Sequence, residues 1–402
     1  MKQVLVLGGF YFGESFIKAA KKNGHRVILV DSKLDKTSSL YTSVDEFIPV
    51  NLTSQSAFED IIENIGTRTI NAIVPGHVFH VYLQARLCNF YSLPSISPDA
   101  AFRCLNKDLM RERFSQKGIK QPEYRVVNKT DDNYNLSKMV YPCVIKPSNG
   151  FASISVSFAE NEEQARMHIE KLRKGWSYSA NENFEDKSSI LIEEKLIGHE
   201  FSAEVLCENG EIGIIGITDK YFDNNINNFE LGFMLPSPIN DTQFQVIYNY
   251  IREAYQALEI EHGISHCEFI LTEAGPRIVD LNPRVGGAHL ADVYEFATGH
   301  NLFEVALKNA LGEKQSLSRF PVNRAAVSGW YIGSKGVVKS VITPSSLDEG
   351  SRMFVRKKQG TEILGEGDNR DRIIAVIASG KDIDNAKEKL NNILTECKVT
   401  YF

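Results

Sequence analysis

Asp280, Asn282 and Arg284 occupy alternate positions of the stretch VDLNPRVGG, residues 279 to 287. In an extended chain side chains alternate with period two, so these three share one face. An acid, an amide and a cation side by side do not make a core face, because an unpaired buried charge costs several kcal/mol or changes its protonation. Upstream, HCEFILTEAGPRIVDLNPR reads as two apolar strands around a turn containing Ala274-Gly275-Pro276. A hairpin centred near Ala274 sets Glu268 opposite Asp280, with Cβ atoms about 5 Å apart. Two carboxylates so placed repel unless something positive lies between them. A hard divalent cation meets that need, with Asn282 as a third oxygen ligand on the same face. Mg²⁺ takes few carboxylate oxygens and leaves its other positions to water and substrate phosphates. Pro283 and Gly286-Gly287 stop the strand and offer backbone N–H groups to an anion. A surface hairpin turning this face to water is the alternative. Phe269, Ile270, Ile278, Val279 and Leu281 argue against it by making both strands strongly apolar.

Two further stretches carry chemistry only in combination. In VIKPSNGFASISV, residues 144 to 156, Lys146 ends an apolar strand and a Ser/Asn/Gly loop follows. Such a loop can fold over phosphates while the lysine neutralises charge. Alone, a lysine before a turn reads more simply as a solvated strand end. In LIEEKLIGHEF, residues 191 to 201, the segment Glu193 to Leu196 can offer edge backbone groups to a base, and Glu200 a carboxylate to a ribose. Alone, this too reads as a solvated strand end.

The elements that must position these groups follow from periodicity. QVLVLGG, a helical stripe through Phe16, Ile17, Ala19 and Ala20, and HRVILVDS give strand, turn, helix and strand. VDEFIPV, SAFEDIIENIG and INAIVPG repeat the pattern. Alternation over about the first hundred residues predicts a small doubly wound α/β domain. The turn Gly8-Gly9-x3-Gly13 is not a G-x-G-x-x-G fingerprint, and only Asp31 supports a dinucleotide site. Residues 97–120 turn helical. Strands and helices then alternate through a central block, with helices expected over 241–258 and 291–311, and a smaller β-rich region closes the chain.

The whole is 402 residues with 43% hydrophobic and 24% charged side chains and a net charge of -6. There is no basic footprint for nucleic acid. No apolar run approaches the roughly 20 residues of a membrane helix. The six cysteines show no CxxC pairing, so neither zinc nor a disulfide framework is suggested. No signal peptide is visible, and a cytoplasmic location fits.

In their order and spacing, the three stretches resemble the ATP-grasp superfamily over essentially the whole chain. ITDKYFDNNINNFELGFMLPSPI, residues 217 to 239, with NPRVGGAH adds a likeness to its carboxylate-amine ligase branch. That branch holds the L-amino acid ligases and the D-cycloserine-type synthetases; biotin carboxylase is similar more distantly. The resemblance implies an α/β and α+β ATP-grasp fold. Its parts are an N-terminal doubly wound pre-ATP-grasp domain (1–96), a helical connector (97–120), small and large lobes (121–200 and 201–312) and a β-rich C-terminal subdomain (313–402). It implies ATP and Mg²⁺, two ions with Mn²⁺ as a substitute, and small-molecule carboxylate and amine substrates, with a homodimer admitted. Lys107 and Lys146 resemble the ATP-phosphate lysines, and Ser153 falls in the phosphate-covering loop. Glu193, Glu194 and Leu196 resemble the adenine hinge and Glu200 the ribose-binding acid. Glu268, Asp280 and Asn282 resemble the magnesium ligands, and Arg284 the arginine that steadies the acyl-phosphate and tetrahedral intermediate. Glu230, Gly232 and Pro236 would line the amino-substrate pocket, with Gly286-Gly287 beside a substrate carboxylate. The implied activity is formation of an acyl-phosphate and its displacement by an amine. A bicarbonate-dependent carboxylase and a non-catalytic nucleotide-binding regulator are the rival readings. Two departures stand out: Ser155 replaces a loop glycine, and Phe233 replaces a frequent histidine, which implies a more apolar or aromatic substrate side chain or a different acceptor contact. The 148–155 loop and the Asn-rich 223–229 segment are the expected lids.

Overall fold

The computed structural model of the chain describes residues 1–402 apart from 11, 34–41, 129, 131–133, 151–153, 176–188, 224–228 and 366–368. Strands β1 (Gln3–Leu7), β2 (Arg26–Asp31), β3 (Glu46–Pro49) and β4 (Ala72–Pro75) form a parallel sheet ordered β3-β2-β1-β4. Val4 to Leu7 and Val27 to Val30 are wholly buried, as strands covered on both faces must be. The winding reverses between β1 and β4. In such sheets the crevice beyond the carboxyl ends at this point is where ligands sit. Asp31, at the carboxyl end of β2, accepts the Gly9 N–H at 2.9 Å and braces the turn after β1.

Strands β5 (Tyr124–Asn128), β6 (Cys143–Pro147), β7 (Ser157–Ala159) and β8 (Ser189–Glu194) form an antiparallel sheet ordered β5-β8-β6-β7. Ala165, Ile169 and Leu172 of the helix Glu162–Gly175 cover its apolar face. Next come β9 (His199–Glu208), β10 (Glu211–Asp223), β11 (Phe229–Leu235), β12 (His262–Thr272), β13 (Gly275–Asn282) and β14 (Ala325–Ile332). The C-terminal strands are β15 (Gly336–Ile342), β16 (Ser351–Val355), β17 (Glu362–Ile363), β18 (Arg372–Gly380) and β19 (Lys398–Tyr401). The central sheet has eight strands in the order β13-β12-β9-β10-β11-β14-β18-β16. Three C-terminal strands therefore extend it, and residue 312 marks no sheet boundary.

The pleat assigns the two faces of this sheet. Ala203, Val205, Cys207, Cys267 and Phe269 pack against Ile247, Ile251 and Tyr255 of the helix Asp241–Leu258. On the opposite face Leu206, Ile215 and Ile264 meet the helices Leu290–Thr298 and Leu302–Ala310. The single helix expected over 291–311 is thus two. Gly299 ends the first at φ 79, and the Asn301 side chain caps the second by accepting the Phe303 and Glu304 N–H groups. All six cysteines are buried and unbridged. No described helix is long and apolar enough to cross a membrane.

Candidate active site

Along the opposite face of the central sheet the alternation turns polar. Glu268 pairs with Asp280 and His266 with Asn282 across β12 and β13. This is the pairing the sequence requires, reached by a different route. Thr272 pairs with Gly275, so the turn is Glu273-Ala274, and a bulge that leaves Val279 extra restores the register. The Val279 carbonyl accepts from Arg111 Nη2 at 3.3 Å. On the other side of β12, Glu204 of β9 faces His266 and Ser202 faces Glu268. Two polar rungs cross the sheet: Asn282, His266 and Glu204, then Asp280, Glu268 and Ser202.

Lys107 opens the helix Lys107–Lys117. Its Nζ lies 3.1 Å from Asp280 Oδ1 and donates to the Gly150 carbonyl at 2.7 Å. Asp280 also accepts the Leu281 N–H at 3.0 Å and the Asn282 amide N–H at 2.9 Å. That last bond leaves the amide oxygen of Asn282 as its donor toward a cation. Lys220 of β10, unassigned by sequence reasoning, ion-pairs with Glu200, with Glu230 at 3.1 Å and with Glu268 at 2.8 Å. Burial opposes its charge, yet the three carboxylates hold the Lys220 pKa well above the ordinary lysine value. Burial works to raise Glu268 as well, and Lys220 and His266 overcome it and hold that carboxyl well below its usual range. Burial, with Glu268 and Glu230 nearby, pushes Glu200 up. Among the described residues no three His, Cys, Asp or Glu side chains group closely enough to hold a metal by themselves. Two carboxylates and an amide oxygen, with lysines beside the acids, fit a hard cation that completes its shell with water and phosphate oxygens.

Facing this wall, Lys146 of β6 lies 2.5 Å from Glu193, whose other oxygen takes Arg111 Nε at 2.5 Å. Arg111 shares a helix face with Lys107 four residues earlier, the one sequence signal that could have exposed it. The Glu193 carboxylate therefore holds a buried triad instead of facing a base. The Glu194 N–H donates to the Glu123 carbonyl, and the Lys195 N–H to that of Pro142. Neither Glu193 nor Glu194 lines the cavity, whereas Lys195, Leu196, Ile197 and Glu200 do. Ser153 lies outside the described residues, as do parts of both expected lids. Ser155 lines the cavity with φ 62, a conformation that favours glycine. Burial raises Glu193 and lowers Lys146, but Arg111 and Lys146 draw the Glu193 carboxyl down to about 2. A depressed pKa stabilises the fold above the unfolded value of 4.5, and that contribution is lost as pH falls toward about 2. Urea midpoints should drop across this window, and Glu193→Gln should flatten that part of the fall. An unchanged slope in the variant would contradict the triad.

The same cavity, about 1680 Å³, takes in Lys107, Lys146, Lys220, Glu230, Glu268, Asp280, Asn282, Arg284 and Gly287. Phe10, Phe12, His77 and Val78 reach it from the carboxyl edge of the N-terminal sheet. Arg284 stacks over Phe12 at 5.2 Å and donates to the Val285 carbonyl at 2.7 Å. Burial, with His80 and Arg284 nearby, lowers His77 to about 4, so its ring is neutral near pH 7. Glu230 accepts from Arg372 at 3.1 Å, and Arg372 lies over the Trp330 ring at 4.4 Å. Phe233, fully covered by its neighbours, contributes an apolar wall.

Gly232 and Gly286 do not line the cavity. A Cβ on Gly232 would lie 2.0 Å from the Ser328 carbonyl oxygen of β14. Its glycine serves the close approach of two strands. Gly232→Ala should lower stability by about 1–3 kcal/mol, visible as a lower Tm. Intact stability with altered substrate affinity would restore a substrate role.

Two lobes face each other across a cavity of lysines and paired carboxylates, beside a doubly wound α/β domain. Residues 139–292 match the family described as ATP-grasp domain. The L-amino acid ligase of Bacillus licheniformis superposes with a TM-score of 0.86 at 19% identity, over 100% of this chain and 99% of that one. By sequence, an uncharacterized protein of Sinorhizobium fredii is 26% identical over 302 residues, 73% of this chain and 60% of that protein. Carnosine synthase 1 of Gallus gallus is 24% identical over 82% of this chain and 37% of its own length. The chain thus spans less than two thirds of these two relatives.

Proposed function

We propose that the chain is an ATP-dependent ligase that activates a small carboxylate as an acyl-phosphate and joins it to an amine, releasing ADP and phosphate. The observation that carries this reading is the convergence of Lys107, Lys146, Glu268, Asp280, Asn282 and Arg284 on one cavity. The full-length likeness to an L-amino acid ligase supports an amino acid as one of the two partners.

Leu196 and Ile197, which line the cavity between the lobes, would meet the base of the nucleotide and Glu200 its ribose. Phosphoryl transfer needs positioning and charge neutralisation more than covalent chemistry from the protein. Lys107 and Lys146 supply cations on the phosphate side. Glu268, Asp280 and Asn282 would hold Mg²⁺, which would supply positive charge against the phosphates. Arg284, placed over Phe12, offers paired N–H groups to the acyl-phosphate and then to the oxyanion formed when the amine attacks. Phe233 and Ala288 give the substrate end an apolar boundary, while Glu230 and Arg372 supply charge there.

The test is a phosphate-release screen over amino acids singly and in pairs, with nucleotide products resolved and new compounds weighed by mass spectrometry. ADP and phosphate in step with an amide product support the reading. ADP release that follows bicarbonate, or ATP binding without turnover for any pair, would replace it with a carboxylase or a regulator.

A further inference from the structure

Behind the metal-facing carboxylate lies a second layer that the proposed mechanism does not use. His266 is 4% exposed and Glu204 is wholly buried. His266 Nδ1 bonds Glu204 Oε1, and its Nε2 lies 3.4 Å from Glu268 Oε1. The second Glu204 oxygen accepts the Gly286 N–H at 3.3 Å. The packing allows no slack: a Cβ on Gly286 would lie 2.9 Å from His266 Nδ1 and 2.4 Å from Leu290 Cδ2. A buried carboxylate and imidazole are retained against a desolvation penalty of several kcal/mol, and apolar residues would fill this space more stably.

We infer that His266 and Glu204 form a brace between the Glu268 carboxylate and the Gly286 turn, so that one unit sets both the metal face and the turn beside Arg284. The inference rests on the ligase reading for the roles of Glu268 and Arg284. Both brace residues are positioning residues. His266 bonds Glu204 through Nδ1 and holds Nε2 at 3.4 Å from Glu268, within ion-pair reach, and so restrains the Glu268 carboxylate. Glu204 fixes the ring and pins the turn that leads from Arg284 to Gly287. Partners behind a metal ligand tune affinity although they never touch the ion. The signature of a brace is that Glu204, which does not contact Glu268, affects metal binding.

Calorimetry on the full chain tests this, with ADP as the probe in the presence and absence of Mg²⁺ and Tm measured alongside. Wild type should bind ADP more tightly with Mg²⁺. His266→Gln and Glu204→Gln should each reduce that gain about tenfold, with metal-free ADP affinity within about twofold. The double variant should lose little beyond either single one, since both break the same unit. Glu204→Gln with the full Mg²⁺ gain, or losses that multiply in the double variant, would overturn the brace. If His266→Gln fails to fold, Glu204→Gln decides alone. A wild-type chain that binds no ADP would sink the nucleotide site and the brace together. Normal Mg²⁺-ADP binding without ligase turnover would reject the proposed reaction and leave the brace standing.

Discussion

Asp280→Asn should abolish turnover, by on the order of 10³-fold in kcat, while leaving the protein folded. Asp280 is the point where the two halves of the site meet. Its carboxylate accepts from Lys107 of the helical connector, from the Leu281 N–H and from the Asn282 amide. An amide of the same shape preserves the packing and some of these bonds but removes the negative charge. Two effects then coincide: the metal wall keeps a single carboxylate, Glu268, and Lys107 loses its counter-ion. The measurement is steady-state ADP release together with Mg²⁺ titration and Tm. The variant should show a collapsed rate, a weakened Mg²⁺ response and a Tm near that of wild type. Wild-type turnover would remove Asp280 from the metal site.

Arg284→Lys should cut kcat on the order of 10²-fold with a smaller change in the KM for ATP. A lysine keeps the charge but lacks the planar fork that can hold two oxygens of an anion. It also loses the cation–π contact of the guanidinium with Phe12, whose ring centroid lies 5.2 Å from Arg284 Cζ. Because the role assigned to Arg284 grows as the oxyanion forms, the loss should fall mainly on kcat. A change confined to the KM for ATP would place Arg284 on the nucleotide and not at the reacting carbon. Unchanged kinetics would exclude both roles.

Much of the polar face carrying Glu268, Asp280 and Asn282 was legible because its signal is local. Asp280, Asn282 and Arg284 alternate within five residues, and Glu268 stands across a single hairpin. Even so, the centre expected at Ala274 was half a residue off, and the bulge at Val279 compensated. Lys220, Glu204 and His266 were missed for a different reason. Each sits in a largely apolar strand and acquires meaning only from the strand order β13-β12-β9-β10, which brings together residues as far apart as Glu204 and His266. Their period-two placement, His266 with Glu268 and Glu200 with Glu204, was the one available hint. Gly232 and Gly286 were read toward the substrate, although the close Ser328 carbonyl explains the first and the close Leu290 and His266 side chains the second. The N-terminal contribution through Phe10, Phe12 and His77 carries no motif, but the switch point of a doubly wound sheet marks where to look.

The acyl-phosphate itself is the central claim, and its chemistry leaves an isotopic record. A substrate carboxylate enriched with ¹⁸O attacks the γ-phosphate through one of its oxygens. When the amine displaces phosphate at carbon, that oxygen departs with the phosphorus. Turnover of an active amino-acid pair with one ¹⁸O-labelled carboxylate should therefore yield inorganic phosphate carrying one ¹⁸O, in step with ADP and the amide. Unlabelled phosphate, or label appearing in AMP, would contradict the mechanism.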